Sequence, residues 1–272
     1  MIRCLKLELS YDGSNYSGWQ EQKAQPNVKT VQGEIQRVLE RITGQKIPIL
    51  GSGRTDAGVH ALYQTASFLI EENTLAPEVF TRALNAFLPS DIRIWRTTEA
   101  DPNFHPIRDV VRKRYRYLMS DQRPFLPMMR NYVWWSSKPL DRGPMGAAAQ
   151  FLQGTHDFRA FQTEGSPRRS TVRTIFEIQL KEIPTPIFFD FPAQKRDPGE
   201  LPVPSLLALE VEADGFLYNM VRAIAGTLYL FGRKHKGFED PEAMKKIVDS
   251  GDRALAGPTA PPHGLYMIDV VY

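Results

Sequence analysis

The sequence predicts an α+β protein built from two ferredoxin-like (RRM-like) β-α-β-β-α-β halves with antiparallel sheets meeting at a central cleft. Two observations carry this. Over the first hundred or so residues, runs with a period of two flank two apolar stripes with a period of 3.6. Beyond residue 105 the same order of elements returns without any repeat of the sequence itself. A chain of 272 residues is long enough to hold two such cores. The expected division is residues 1–105 and 106–272.

The elements follow in order. Leu5, Leu7 and Leu9 alternate with Lys6 and Glu8, the pattern of a half-buried strand, and Tyr11-Asp12-Gly13-Ser14 reads as a turn. Val31, Ile35, Val38, Leu39 and Ile42 share one helical face, with Thr30 as N-cap and Gly44 as stop. Lys46 to Leu50 reads as a strand, and Gln64, Ala66 and Phe68 alternate on another. Pro77 opens a helix carrying Val79, Phe80, Ala83, Leu84 and Phe87. Ile92 and Ile94 mark the last strand of this half.

In the second half, strands are expected at Tyr115 to Met119, Val133 to Ser136, Val172 to Leu180, Leu206 to Ala213 and Tyr266 to Val271. Helices are expected at Pro144 to Leu152 and along the stripe Leu217, Met220, Val221, Ile224, Ala225 and Leu228, with an extra one near Pro241 to Val248. The segment 182–205 holds six prolines in 24 residues and reads as an extended loop carrying Ile187, Phe188, Phe189 and Phe191.

Composition narrows the function. Apolar residues make up 42% and charged residues 24%, as in a soluble globular enzyme. The net charge is only +3, so clustering matters more than the total. Basic residues crowd at Arg112, Lys113, Arg114 and Arg116, at Arg168, Arg169 and Arg173, and at Arg233, Lys234 and Lys236. Such clusters serve either as solvated faces or as a nucleic-acid footprint. Cys4 is the only cysteine, which leaves no intrachain disulfide and no cysteine-based zinc site. The five histidines lack ligand spacing, so no metal and no cofactor are expected. The N-terminus does not read as a signal peptide and no apolar run reaches membrane-spanning length, so a cytoplasmic protein is expected.

The run Gly51-Ser52-Gly53-Arg54-Thr55-Asp56-Ala57-Gly58-Val59-His60-Ala61 concentrates the chemistry, with three glycines in eleven residues. On an extended backbone residues two apart point the same way, so Arg54 and Asp56 are expected to face one cleft. A carboxyl with an ordinary pKa near ~3.9 is ionised at neutral pH, and burying it calls for a cation. Arg222 is one source of that charge. It flanks the apolar stripe, one turn after Tyr218 and one before Gly226, a glycine that clears room for a partner. In Lys113-Arg114-Tyr115-Arg116-Tyr117, strand alternation is expected to set Tyr115 and Tyr117 on one face and the basic residues on the other.

The run Gly51 to Ala61 resembles the G-x-GRTD-x-GVHA motif of the tRNA pseudouridine synthase A family. Four further segments are similar to that family: Tyr11 to Gln20 to Y-D-G-x-x-Y-x-G-W-Q, Arg114 to Tyr117 to R-Y-R-Y, Phe216 to Gly226 to F-x-x-x-M-V-R-x-I-x-G, and Gly264 to Met267 to G-L-Y-L. Met267 departs from the last pattern, and the 182–205 insertion interrupts the likeness. The resemblance implies the pseudouridine synthase fold and isomerisation of uridine to pseudouridine at positions 38 to 40 of the tRNA anticodon stem-loop by a homodimer.

The resemblance also assigns roles. Asp56 is the catalytic carboxylate, Arg222 its partner, and Tyr115 lies against the uracil as stacking platform and proton acceptor. Arg54 holds the space left by the flipped nucleotide. The alternative, that Arg54 merely pairs with Asp56, stays open at this level. Leu265 and Met267 line the uracil pocket. Tyr11, Gly58, His60 and Arg114 complete the substrate-binding set, and Tyr117 stays in the core. Two other readings fit less well. A non-catalytic pair of RRM-like binders lacks the RNP1 pattern. An Asp-dependent hydrolase lacks a carboxylate pair or a Ser-His arrangement.

Overall fold

The computed structural model describes residues 2–22, 24–25, 27–71, 74–122, 126–163, 170–184 and 205–272. The chain divides into two compact units, Met1–Tyr115 with Tyr266–Tyr272, and Arg116–Leu265. The mixed α+β architecture matches the expected class.

The first unit runs β1 (Ile2–Tyr11), α1 (Val31–Thr43), β2 (Leu50–Gly51), β3 (His60–Glu71), α2 (Pro77–Phe87) and β4 (Ile92–Ala100). β1 pairs antiparallel with β3, through Leu5↔Phe68 and Leu7↔Ala66, and with β4 on its other side. The leucines at 5, 7 and 9 are fully buried, as the period of two requires. α1 and α2 bring Ile35, Val38, Leu39, Phe80 and Leu84 to the core, and the Phe80 and Phe68 rings meet edge-on at 5.8 Å. The Thr30 hydroxyl caps α1 by accepting the Gly33 N–H, and Gly44 ends it in the left-handed conformation. Lys46 to Leu50 was expected as a strand, yet only Leu50–Gly51 pairs, with Gly51↔Ala66 and Leu50↔Ser67.

One strand edge positions the candidate site. The side of β3 facing away from β1 is shared. β2 takes residues 66 and 67, and β10 (Leu265–Val271) runs parallel at Tyr266↔His60 and Met267↔Ala61. The Gly51 to Ala61 run leaves this edge at β2 and rejoins it at the start of β3, where β10 arrives.

The second unit begins within β5 (Arg112–Ser120), which β6 (Trp134–Trp135) joins in parallel. α3 (Arg142–Gln150), β7 (Gly154–Asp157), β8 (Val172–Pro184), β9 (Ser205–Ala213), α4 (Met220–Gly232) and α5 (Ala243–Ser250) follow. The strand order is β5-β9-β8-β7. The second β-α-β-β-α-β order is present as β5-α3-β8-β9-α4-β10. β7 is an addition that the sequence reading missed. It is four residues of mixed polarity, too short for a periodic signal.

The proline-rich segment needs one correction. Residues 182 to 184 are strand, because β8 and β9 keep antiparallel register to Pro184↔Ser205. Residues 185–204, with Ile187, Phe188, Phe189 and Phe191, lie outside the described residues. No helix among the described residues is long and apolar enough to cross a membrane.

Candidate active site

The loop between β2 and β3 is braced from beneath. The Tyr11 hydroxyl and the Thr55 hydroxyl lie 2.8 Å apart in a buried hydrogen bond. Burial pushes the Tyr11 phenol well above its ordinary pKa, so it stays neutral. The Trp19 N–H donates to the Thr55 carbonyl at 3.0 Å, and the Trp19 indole lies directly on Gly51. Gln64 holds the entry to the loop by donating to the Gly53 carbonyl at 2.9 Å while accepting from the Ser52 hydroxyl. The Tyr11 to Gln20 segment therefore supports the motif from within the first unit.

Asp56 is half-buried and starts a turn in which its carbonyl accepts the Val59 N–H at 3.1 Å. Gly58, two residues on, has φ +76° and donates its N–H to the Tyr16 carbonyl at 3.3 Å. Arg54 is exposed and makes no ion pair or hydrogen bond among the described residues. His60 is buried. Its Nδ1 accepts the Gly13 N–H at 3.1 Å, and its ring stacks on Tyr266 at 4.8 Å. Asp12 Oδ1 also approaches this Nδ1, at 3.1 Å.

Residues distant in sequence converge on Gly53. A Cβ built there would stand 3.2 Å from Lys113 Nζ, 3.3 Å from Met267 Cε and 3.9 Å from the Tyr115 hydroxyl. A side chain there would press on the ends of Lys113 and Met267, which would have to give by a few tenths of an ångström. The structure thus brings Tyr115 and Met267, both predicted site residues, against the motif loop inside one unit. Tyr115 and Met267 are buried, with Met267 fully so.

Lys113 was missed. Its ammonium donates to the Ser52 carbonyl at 2.5 Å. The expectation that every basic residue of this segment lies opposite Tyr115 is corrected here. Lys113 precedes Tyr115 by two and reaches the same glycine, as strand geometry requires. That spacing was the available signal. Arg114 is half-buried on the neighbouring register.

The remaining predicted residues belong to the second unit. Arg222 Nε donates to the Ala260 carbonyl at 2.8 Å and Nη1 to the Asn219 side chain at 2.7 Å. Gly226 does clear room, but for backbone: a Cβ there would sit 1.7 Å from the Pro258 carbonyl oxygen. Leu265 is buried and follows Gly264, which lies against the Tyr117 ring. Tyr117 is core, and its hydroxyl donates to the Pro261 carbonyl at 2.8 Å.

The basic clusters are partly spent on internal pairs. Arg116 meets Glu210 at 2.5 Å and Lys234 meets Asp141 at 3.0 Å. Arg168 and Arg169 lie outside the described residues.

Comparison with known proteins gives consistent matches. A family model described as tRNA pseudouridine synthase matches residues 9–107 and 148–272. A tRNA pseudouridine synthase A of Thermoanaerobacter sp. (strain X514) is 40% identical over 272 residues, covering 100% of both chains. A tRNA pseudouridine synthase A 2 of Clostridium tetani is 40% identical over the same 272 residues, again with full coverage of both. A tRNA pseudouridine synthase A of Thermotoga petrophila is 39% identical over 264 residues, 97% of each chain.

Proposed function

The chain belongs to the tRNA pseudouridine synthase family, and from that premise we propose that it isomerises uridine in the anticodon stem-loop, at positions 38 to 40, using Asp56 as its catalytic carboxylate. It is an isomerase acting on tRNA. In the reaction the N1–C1′ bond breaks, C1′ bonds to C5, and the proton count is restored by loss from C5 and gain at N1. The proton lost at C5 is balanced by the one gained at N1, so the composition is unchanged and no oxidant or reductant is consumed.

The single observation that carries the reading is the convergence on Gly53. The loop bearing Asp56 lies against Tyr115 and Met267 within one compact unit. In the proposed site Asp56 acts at the sugar. Tyr115 stacks on the freed uracil and offers its hydroxyl to the C5 proton, with Met267 and Leu265 forming the apolar wall. Arg222 supplies the counter-charge to the carboxylate. Arg54, exposed and unpaired among the described residues, is suited to fill the stack vacated by a flipped nucleotide. Lys113 ties the loop to β5 through Ser52. Arg114 contacts the RNA backbone, while Tyr11, Gly58 and His60 fix the loop's shape. The protein works in the cytoplasm as a homodimer, to be checked by light scattering with and without tRNA.

Release of tritium from C5-labelled uridine in unmodified tRNA, followed by mapping of the modified positions, tests the assignment. Wild-type protein releases label at positions 38 to 40, and Asp56→Asn binds tRNA but releases none. Turnover by Asp56→Asn at the wild-type rate would remove Asp56 from the chemistry.

A further inference from the structure

Away from the motif loop, α2 and β4 enclose a groove of about 550 Å³. Arg82 from α2 and Arg93 and Trp95 from β4 line it. Arg93 and Trp95 are two apart on one strand, so they share a side. No acidic residue lines the groove. Both arginines are exposed, and neither makes an ion pair or hydrogen bond among the described residues. Trp95 is 60% exposed and has no ring partner among the described residues.

β4 is the edge strand of its sheet. Its backbone is already occupied at the groove. The Asn85 side chain donates to the Ile94 carbonyl at 2.8 Å and accepts the Ile94 N–H at 2.9 Å. Addition of a peptide strand at this point is therefore blocked. What the groove still offers is two unneutralised guanidinium groups and a free aromatic face. A lone exposed tryptophan is ordinary. Its coincidence with two unpaired arginines and no acid matches a polyanion with stackable rings.

We infer that the α2–β4 groove is an accessory RNA contact. It takes one nucleotide of the tRNA substrate, with phosphate held by Arg82 and Arg93 and a base stacked on Trp95. The inference rests on the reading of the protein as a tRNA-modifying enzyme. None of the three basic clusters apparent in the sequence includes these residues. Arg93 lies eleven positions after Arg82 in the chain, and the packing of α2 beside β4 brings them to one groove.

The test uses the full chain and an unmodified tRNA transcript, with affinity measured over a series of salt concentrations. Trp95→Ala should weaken binding about tenfold, and Trp95→Phe, which keeps a stacking ring, should restore most of it. The double variant Arg82→Ala/Arg93→Ala should lower the magnitude of the slope of log K against log salt by about two. Unchanged affinity and slope in these variants would overturn the inference. So would a change in sedimentation without a change in tRNA affinity, since the groove would then serve a second copy of the chain. Pseudouridine formation by the wild-type protein, read in the same reactions, separates the two levels. Its absence would defeat the functional reading, whereas its presence with unaltered variant binding would defeat only the groove.

Discussion

Substituting Gly18 by alanine should damage catalysis more than it damages folding. Gly18 has φ +91°, a conformation that L side chains rarely adopt. Forcing alanine into it costs about 1–2 kcal/mol. A Cβ at Gly18 would also stand 2.5 Å from the Thr55 carbonyl oxygen, where ordinary contact begins at 3.4 Å. The loop must retreat by about 0.9 Å, the difference between those two distances, or the Gly18 backbone must do so. That same carbonyl accepts the Trp19 N–H, and Asp56 is the next residue. A misplacement of about 1 Å costs on the order of 100-fold in rate. Gly44→Ala is the control. It imposes a similar φ of +72° with nothing within 4 Å. Gly18→Ala should therefore show kcat lowered about 100-fold in tritium release. Gly44→Ala should lose about 1 kcal/mol in urea unfolding at wild-type kcat. A folded Gly18→Ala protein within twofold of wild-type kcat would refute the claim that this glycine sets the loop's position.

Two further outcomes follow from the same geometry. Lys113→Met removes the charged donor to the Ser52 carbonyl, an interaction worth about 1.5–3 kcal/mol. It should lower kcat by roughly 10- to 100-fold with KM little changed, and Lys113→Arg should recover part of the loss; equal kcat for Met and wild type in steady-state kinetics would show that the tie is dispensable. Glu210 gives a pH-dependent prediction. Burial raises its pKa, but Lys181 at 2.9 Å and Arg116 at 2.5 Å outweigh it and hold the carboxyl below its ordinary value of 4.5. A depressed folded-state pKa stabilises above the ordinary value, and the contribution fades as pH falls below it. Glu210→Gln should cost about 1–3 kcal/mol at pH 7, with the deficit shrinking below about pH 4 in urea titrations; a deficit of constant size across that range would mean that charge is not its source.

The order of the main elements, β7 excepted, was legible in the sequence, because periods of two and 3.6 record which side of each segment meets its own core. Thr30, Gly44 and Pro77 fixed helix ends for the same local reason, and the crowded glycines between Gly51 and Ala61 marked the motif loop. Longer-range relations were not legible there. That β2 and β10 share one edge of β3 depends on register between strands far apart in the chain. Lys113 joins Gly53 and Met267 only once that register is set. Gly226 looked like space for a ligand and instead admits the Pro258 carbonyl, since nothing in a helical stripe states which backbone will cross it. The α2–β4 groove is likewise a product of packing. A side chain's periodicity reports whether it faces inward or outward, whereas the partner it meets is decided by how distant segments are docked.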